Sequence, residues 1–476
     1  MASLSTAVAA AVVADQPAAL AARARFLAAA AAVLVTASLS TSNGFYDPVA
    51  LFLMTLACAA AVGAAWLGSP WRRSLAEEAR TARFWDRATR IALALGLAGG
   101  LVSQILFRPG QYLDPPRPLA FRLLAVAGAL LAATFFLDLG PRIARLRFAL
   151  LLGVFAAMGA VVLRASPSPP IDVFLFRQAG AEALSRGENP YLISVPNLYR
   201  DRLVYGTGGF AVGDRVTGFP YPPLVLLVDL PFRALLGDAR LASLVAMLVA
   251  AWAVRRLDRG RDGELMGLLL LFQSRSFLVL EMAWTEPLVV ACLGLLFLAV
   301  RRWLAGAPLA ALTGLAAGLA AASKQYTPLM LLPVLLAAPR AGLGRALGWA
   351  AAAFAAILIP FLVWDPYAFW RGVVTWQFHQ PFRMDALSWL AALARLLGRT
   401  EVTAAVGFLA AALALLALLP RRPGLAQAAS VAAAAFLMFL LFNKQAFCNY
   451  YWGASGLLLA AAALCGRERV PAAEPA

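Results

Sequence analysis

A small set of ionisable side chains sits at the edges of long apolar runs: Asp172, Glu281, Glu286, Lys324, Asp365, His379, Arg383 and Lys444. Asp172 is the candidate base, because it opens the only long polar loop, Ile171 to Tyr191 and on to Phe219-Pro220-Tyr221-Pro222-Pro223. Long loops held by a rigid scaffold are where sites concentrate. Lys324 and Lys444 are the only lysines in a chain whose other basic residues are arginine and one histidine. Both precede a glutamine, Gln325 and Gln445. A compact ammonium suits a phosphate oxygen in a way that the planar guanidinium does not reproduce.

Each of these residues also has an ordinary role. Asp172 precedes an amphipathic run, Val173 to Arg186, that ends at Gly187, so it can serve as the N-cap of that helix, although Leu175 leaves no capping-box partner. The lysines can snorkel to lipid headgroups. His379 is a lone histidine, which excludes a histidine-based metal site and is compatible with a simple surface role. Glu281, Glu286 and Asp365 are the reserve carboxylates.

The elements that must position these groups are membrane helices. The chain is 476 residues long, 62% hydrophobic and 14% charged, and apolar runs of about 16 to 20 residues recur throughout. The expected fold is an all-α polytopic membrane protein of about fourteen transmembrane helices. Spans are expected near 26–41, 49–67, 91–107, 120–137, 148–163, 239–254, 264–280, 286–303, 307–323, 327–339, 346–363, 402–419, 425–442 and 450–465. Pro222 to Leu236 and Ala386 to Leu397 are apolar but too short to span, and are expected to lie on the outer face.

The net charge of +17 comes from arginine clusters between apolar runs, the mark of cytoplasmic loops and not of a nucleic-acid surface. Arg72 to Arg90, Arg142 to Arg147, Arg255 to Arg261, Arg301-Arg302, Arg340 with Arg345, Arg421-Arg422 and Arg467 with Arg469 then fall inside, with both termini. The ionisable set listed first falls on or near the outer side. Charged groups near a bilayer are costly unless paired or wet, so their gathering marks a cleft. Cys58, Cys292, Cys448 and Cys465 have no ligand-like spacing and suggest neither a metal site nor a disulfide framework.

An Asp opening a long outer loop after a span, then Gly187 with Pro190 and Tyr191, then Tyr221 to Leu224, then Lys324 at the outer end of a later span, form an ordered set. In that order they resemble the C-type integral-membrane glycosyltransferases, and most closely glycosyltransferase family 87, the polyprenyl-phosphate-mannose-dependent mannosyltransferase group. The resemblance covers roughly residues 148–465. It departs from the family in the spans that precede Asp172 and in Glu281-Met282-Ala283-Trp284-Thr285-Glu286-Pro287, where many members carry Gly-Gln-x-Asn. On this basis 1–147 is a cytoplasmic segment with about four extra spans, 148–466 a glycosyltransferase-like core with its outer loop at 165–238, and 467–476 a cytoplasmic tail.

What the resemblance implies is transfer of a hexose, mannose first, from a polyprenyl-phosphate sugar to an extracytoplasmic lipid or glycan acceptor, with inversion. Asp172 would take the acceptor proton. Lys324, Gln325, His379, Arg383, Lys444, Tyr191, Tyr221, Glu281 and Glu286 would bind donor or substrate. No cofactor and no metal is expected, and the partners are the donor, the acceptor and membrane lipids in a bacterial plasma membrane. The competing class is a multi-span transporter or lipid flippase, against which stands the lack of a convincing internal repeat. A glycan- or lipid-binding membrane protein without activity is the third.

Overall fold

The computed structural model describes residues 18–67, 79–137, 140–199, 204–206, 208–258, 260–398 and 405–466, with the backbone alone over 140–145. The expected N-terminal segment before residue 18, the basic residues Arg72 and Arg73, and the tail 467–476 lie outside the described residues. The chain is helical nearly throughout, as composition requires. In hydrocarbon a helix satisfies its own backbone, and little else can.

Helices α1 (Ala18–Ser42), α2 (Pro48–Leu67), α3 (Ala79–Leu106), α4 (Leu119–Ala133) and α5 (Gly140–Ala165) precede the site. The amphipathic α6 (Asp172–Ser185) starts the long polar loop, and α7 (Leu224–Leu236) ends it. Then come α8 (Arg240–Leu257), α9 (Arg261–Phe272), α10 (Ser276–Glu281), α11 (Glu286–Leu304), α12 (Ala310–Ser323), α13 (Pro328–Ala337) and α14 (Leu343–Trp364). A short α15 (Pro366–Trp370), one π-helical turn (Arg371–Thr375) and α16 (Trp376–His379) form a cap. The chain closes with α17 (Trp389–Leu397), α18 (Ala405–Leu418), α19 (Leu425–Leu441) and α20 (Cys448–Cys465).

Every expected span coincides with a helix, but fewer of them are long enough to cross a bilayer. Among the described residues six are long and apolar enough, and the pair Leu224–Leu236 with Arg240–Leu257, bent by 119°, makes a seventh if taken as one span. The expected span 264–280 is broken at Gln273-Ser274-Arg275, between α9 and α10. Apolar helices of 10–17 residues, α12 and α13 among them, replace other expected spans. At about 1.5 Å per residue they cover only part of a hydrocarbon core of about 30 Å. Hydropathy measures apolar length along the chain and does not see a break within it.

The long polar loop carries a structure that the helical reading omitted, a three-stranded antiparallel sheet. β1 (Ser194–Pro196), β2 (Ala211–Val212) and β3 (Arg215–Thr217) run in the order β1-β3-β2, with Val195 opposite Val216. It packs with Phe176, Tyr191, Phe210, Phe219 and the fully buried Trp376 into a second hydrophobic cluster above the bundle. The first helices are integral to the bundle: α1 lies along α3 and α20, and α2 along α19.

Helix packing sets the position of Lys324. Gly314 and Gly318 let α12 lie against α14 so closely that a Cβ at either would sit 2.2 Å from the Ala346 carbonyl oxygen or 2.5 Å from that of Ala350. Small residues four apart are a recurring device of close helix contact in membranes. The result fixes the Ser323-Lys324 end of α12 relative to Phe354 and Leu358 of α14.

Candidate active site

Asp172 is the first residue of α6, and the capping position is Ile171, which offers no side-chain cap. The N-cap reading is therefore displaced by one residue. The Asp172 carboxylate accepts the Val173 N–H at 2.8 Å. Two buried or half-buried phenols, Tyr199 and Tyr205, lie beside it, and Arg383 is within electrostatic reach. The Tyr205 hydroxyl is buried without a well-formed hydrogen bond. Burial pushes the Asp172 carboxyl above the ordinary aspartate range; the Val173 N–H, Tyr205, Tyr199 and Arg383 oppose that rise. A carboxylate made more basic by its surroundings is suited to accept a proton.

α6 is anchored by a group that sequence reasoning did not single out. Arg177, 3% exposed, forks onto Asp229 of α7 and donates to Ser243 Oγ and to the Ala283 carbonyl, both at 2.7 Å. A buried charge is tolerated when its donors are used in this way. The Ala283 backbone has φ of 56°, rare for a residue with a side chain. That turn separates two glutamates that are five positions apart in sequence.

Glu286 goes to the centre of the site. Its Oε1 accepts from Lys324 Nζ at 2.7 Å and from the Tyr326 hydroxyl at 3.0 Å, while Oε2 is buried without a partner. Lys324 also donates to Thr285 Oγ1 at 2.7 Å. Its ammonium lies 5.0, 5.3 and 5.8 Å from the ring centres of Tyr221, Tyr450 and Tyr326, an aromatic cage for a cation. Both Asp172 and Glu286 act electrostatically on the Tyr221 hydroxyl, which burial already holds well above the ordinary phenol value. Asp172, Tyr221, Glu286 and Lys324 therefore share one neighbourhood.

The motif residues hold Tyr221 in place. The Tyr191 hydroxyl donates to the Tyr221 carbonyl at 3.0 Å, and Gln325 and Gln377 both donate to the Pro220 carbonyl at 2.9 Å. Proline on either side removes backbone N–H groups and leaves carbonyls to be satisfied. Side chains from three distant segments meet that need.

A cavity of about 540 Å³ opens beside this cluster. Leu358, Leu362, Phe408 and Leu440 form its apolar part, and Lys324, Gln325, Gln377, Asn443 and Lys444 its polar end. Phe354 and Leu362 of α14 and Phe408 of α18, all in its apolar wall, are themselves exposed. Lys444 donates to the carbonyls of Phe378 and Gln380, with no carboxylate partner among the described residues. Burial pulls its ammonium below the ordinary lysine value.

The other expected residues lie elsewhere. Glu281 is fully buried and accepts the N–H groups of Gln111 and Tyr112, so it holds the loop after α3. His379 is exposed, with its Nδ1 3.0 Å from the Thr375 carbonyl and its ring against Phe210. Arg383 forks onto Asp385 at 2.8 and 2.7 Å. Asp365 is the N-cap of α15, accepting from Ala368 at 2.9 Å. Among the residues not anticipated are Tyr199, Tyr205, Tyr326 and Tyr450; the only signal for them was the tyrosine-rich flanks of the polar loop and of the two lysines.

The family model described as glycosyltransferase family 87 matches residues 219–443. No curated protein and no solved structure matches the chain.

Proposed function

We propose that this chain, whose residues 219–443 match the glycosyltransferase family 87 model, is a multi-pass membrane glycosyltransferase that transfers a hexose, mannose first, from a polyprenyl-phosphate sugar to an extracytoplasmic lipid or glycan acceptor with inversion. The observation that carries the reading is the cavity whose lining joins apolar side chains of α14 and α18 to Lys324 and Lys444, with Tyr221 beside Lys324. A lipid phosphate has that polarity: the polyprenyl chain lies on Leu358, Leu362, Phe408 and Leu440, and the phosphate takes the ammonium of Lys444.

The chemistry needs few parts. Asp172 accepts the proton of the acceptor hydroxyl as its oxygen attacks the anomeric carbon. The bond from that carbon to the phosphate oxygen breaks on the opposite face, and the pair of electrons leaves with polyprenyl phosphate. The leaving phosphate needs no acid, only cations placed where its charge develops. Lys444 is available at once. Lys324 becomes available when the phosphate competes with Glu286 for its ammonium, and Gln325 and Gln377 keep Tyr221 over it.

The test is transfer by the purified full-length chain in nanodiscs, with radiolabelled polyprenyl-phosphate mannose, glucose and galactose offered in turn over a membrane-lipid extract. Label should move from one lipid-phosphate sugar to a lipid or glycan product. Exclusive use of a nucleotide sugar, or passage of the lipid across the bilayer without transfer, would overturn the reading. The sidedness is checked in cells: Ser194→Cys should react with an impermeant maleimide and Ala305→Cys should not. The native cysteines are all buried and give little background.

A further inference from the structure

A second cavity, of about 450 Å³, lies outside the site just described. It is far larger than a packing void and falls within the size range of ligand pockets. Its lining comes from the α1–α2 turn at Asn43 and Phe45, the loop after α3 from Phe107 to Gln111, and Arg275 with Leu278 at the break between α9 and α10. Most of that lining lies outside the stretch 219–443, so the helices that precede the family-like core build this cavity.

Its charge is one-sided. Arg275 donates from Nε to the Leu39 carbonyl at 3.3 Å and from Nη2 to the Ser40 carbonyl at 3.2 Å, which fixes the guanidinium plane. Arg108 lies exposed in the lining. Neither arginine has an acidic partner among the described residues. Glu281 is close by, but it is not part of the lining, and both its oxygens are taken by the N–H groups of Gln111 and Tyr112. Two guanidiniums in one pocket with polar Asn43 and apolar Phe45, Phe107 and Leu278 match a phosphate carried on a lipid.

The walls of the cavity connect to Asp172. Phe45 packs on Phe447, ring centres 5.9 Å apart, and Phe447 lies under Arg383, which acts on Asp172. On the other side Tyr112, next to Gln111, is within electrostatic reach of Tyr199, which neighbours Asp172. The polyprenyl cavity shares none of these lining residues.

We infer that this pocket is a second anion site that holds the phosphate of a lipid-anchored acceptor, with Arg275 and Arg108 as its ligands, while the acceptor hydroxyl reaches Asp172. The inference rests on the reading of Asp172 as the base, and it assigns the N-terminal helices a role in acceptor binding.

The test uses the full chain in neutral detergent and a phosphatidic acid probe bearing a diazirine in its acyl chain. Cross-links should map to peptides containing 43–45 or 107–111. They should fall about tenfold in Arg275→Gln, the loss of one charged hydrogen-bonding group, and severalfold in Arg108→Gln, an exposed position whose change leaves the fold alone. Lys444→Ala should leave them unchanged. In transfer assays Arg108→Gln should raise the acceptor KM with kcat and donor KM preserved. Equal labelling of the same peptides by a diacylglycerol probe, or unchanged labelling in both arginine variants, would overturn the site; displacement of the probe by millimolar inorganic phosphate would reassign it to a free anion. Cross-linking does not depend on turnover. If the base assignment fails, an Asp172→Asn protein transfers normally whatever the cross-linking shows.

Discussion

The two ends of the bundle differ in how much buried charge they leave without an ionic partner. At the end where α1 begins and α8 finishes, Arg25 binds Asp258 and, at 3.1 Å, Asp262; Arg90 also binds Asp262, at 3.0 Å. Arg147 and Arg255 share Glu264 at 2.9 and 3.1 Å. Each buried acid there is matched by guanidinium groups. At the Asp172 end, Lys444 and Arg275 rest on carbonyls alone, Glu286 keeps one buried oxygen unpaired, and Asp172 lies half-buried beside phenols. A network in which every acid is paired holds helices together, whereas unpaired charge under a cavity is a place for a ligand.

That contrast is broken most forcefully at the Arg25 end. Arg25→Met takes from buried Asp258 its guanidinium and leaves Asp262 with Arg90 alone, and removing one partner of a buried pair costs about 3–5 kcal/mol. The folded fraction should drop steeply in denaturant titration, while turnover per folded molecule stays near that of the parent. A stable Arg25→Met protein would show that the network is incidental.

Next comes Asp172→Asn. Its amide cannot take a proton, so turnover should fall on the order of a hundredfold or more. Because burial raises the Asp172 pKa, the folded state prefers the protonated carboxyl, and that contribution to stability is lost as pH rises through the folded value. The amide has no such loss, so the variant should melt no lower than the parent at neutral pH. Normal turnover in a well-folded Asp172→Asn protein would move the base to another carboxylate.

A smaller effect separates the two lysines. Lys444→Ala removes a cation that has no acid to leave behind, so donor affinity should weaken about tenfold with the melting temperature unchanged. Lys324→Ala strands Glu286, fully buried, and should weaken donor binding and stability together. Glu286→Gln supplies the control: it frees Lys324 and should tighten donor binding. Equal stability loss in Lys324→Ala and Lys444→Ala would remove the distinction.

Much of this was legible in the sequence, for identifiable reasons. Asp172 and the lysines stood out because charge is scarce in apolar sequence and expensive in hydrocarbon. The helices were legible by apolar length, and so was the break at Lys324, which separates two expected spans; the break at Gln273 to Arg275 was not, because it interrupts an apolar stretch without lowering its average enough to show. Glu281 and Glu286 looked equivalent until the positive φ of Ala283 sent one to the loop after α3 and the other to Lys324. The sheet escaped notice because strands of two and three residues are too short for period-two alternation to register. Tyr199 and Tyr205 sit in an irregular loop, where no periodicity says which way a side chain points.

Those two tyrosines carry the finest test of the comparison. The Tyr205 hydroxyl is buried and poorly partnered, yet it lowers the Asp172 pKa against the effect of burial. Tyr205→Phe removes an unsatisfied buried group, so stability should hold or improve slightly. The carboxyl then loses part of what opposes burial, and its pKa rises further. Since only the ionised carboxylate can act as base, the acid limb of the pH profile for kcat/KM should move to higher pH, with the plateau at high pH little changed. Tyr199→Phe should move it the same way by less, in keeping with its smaller effect. A purely structural role for these residues predicts a uniform loss of activity at every pH. An acid limb that stays where it was in both variants would mean that the group titrating in turnover is not Asp172.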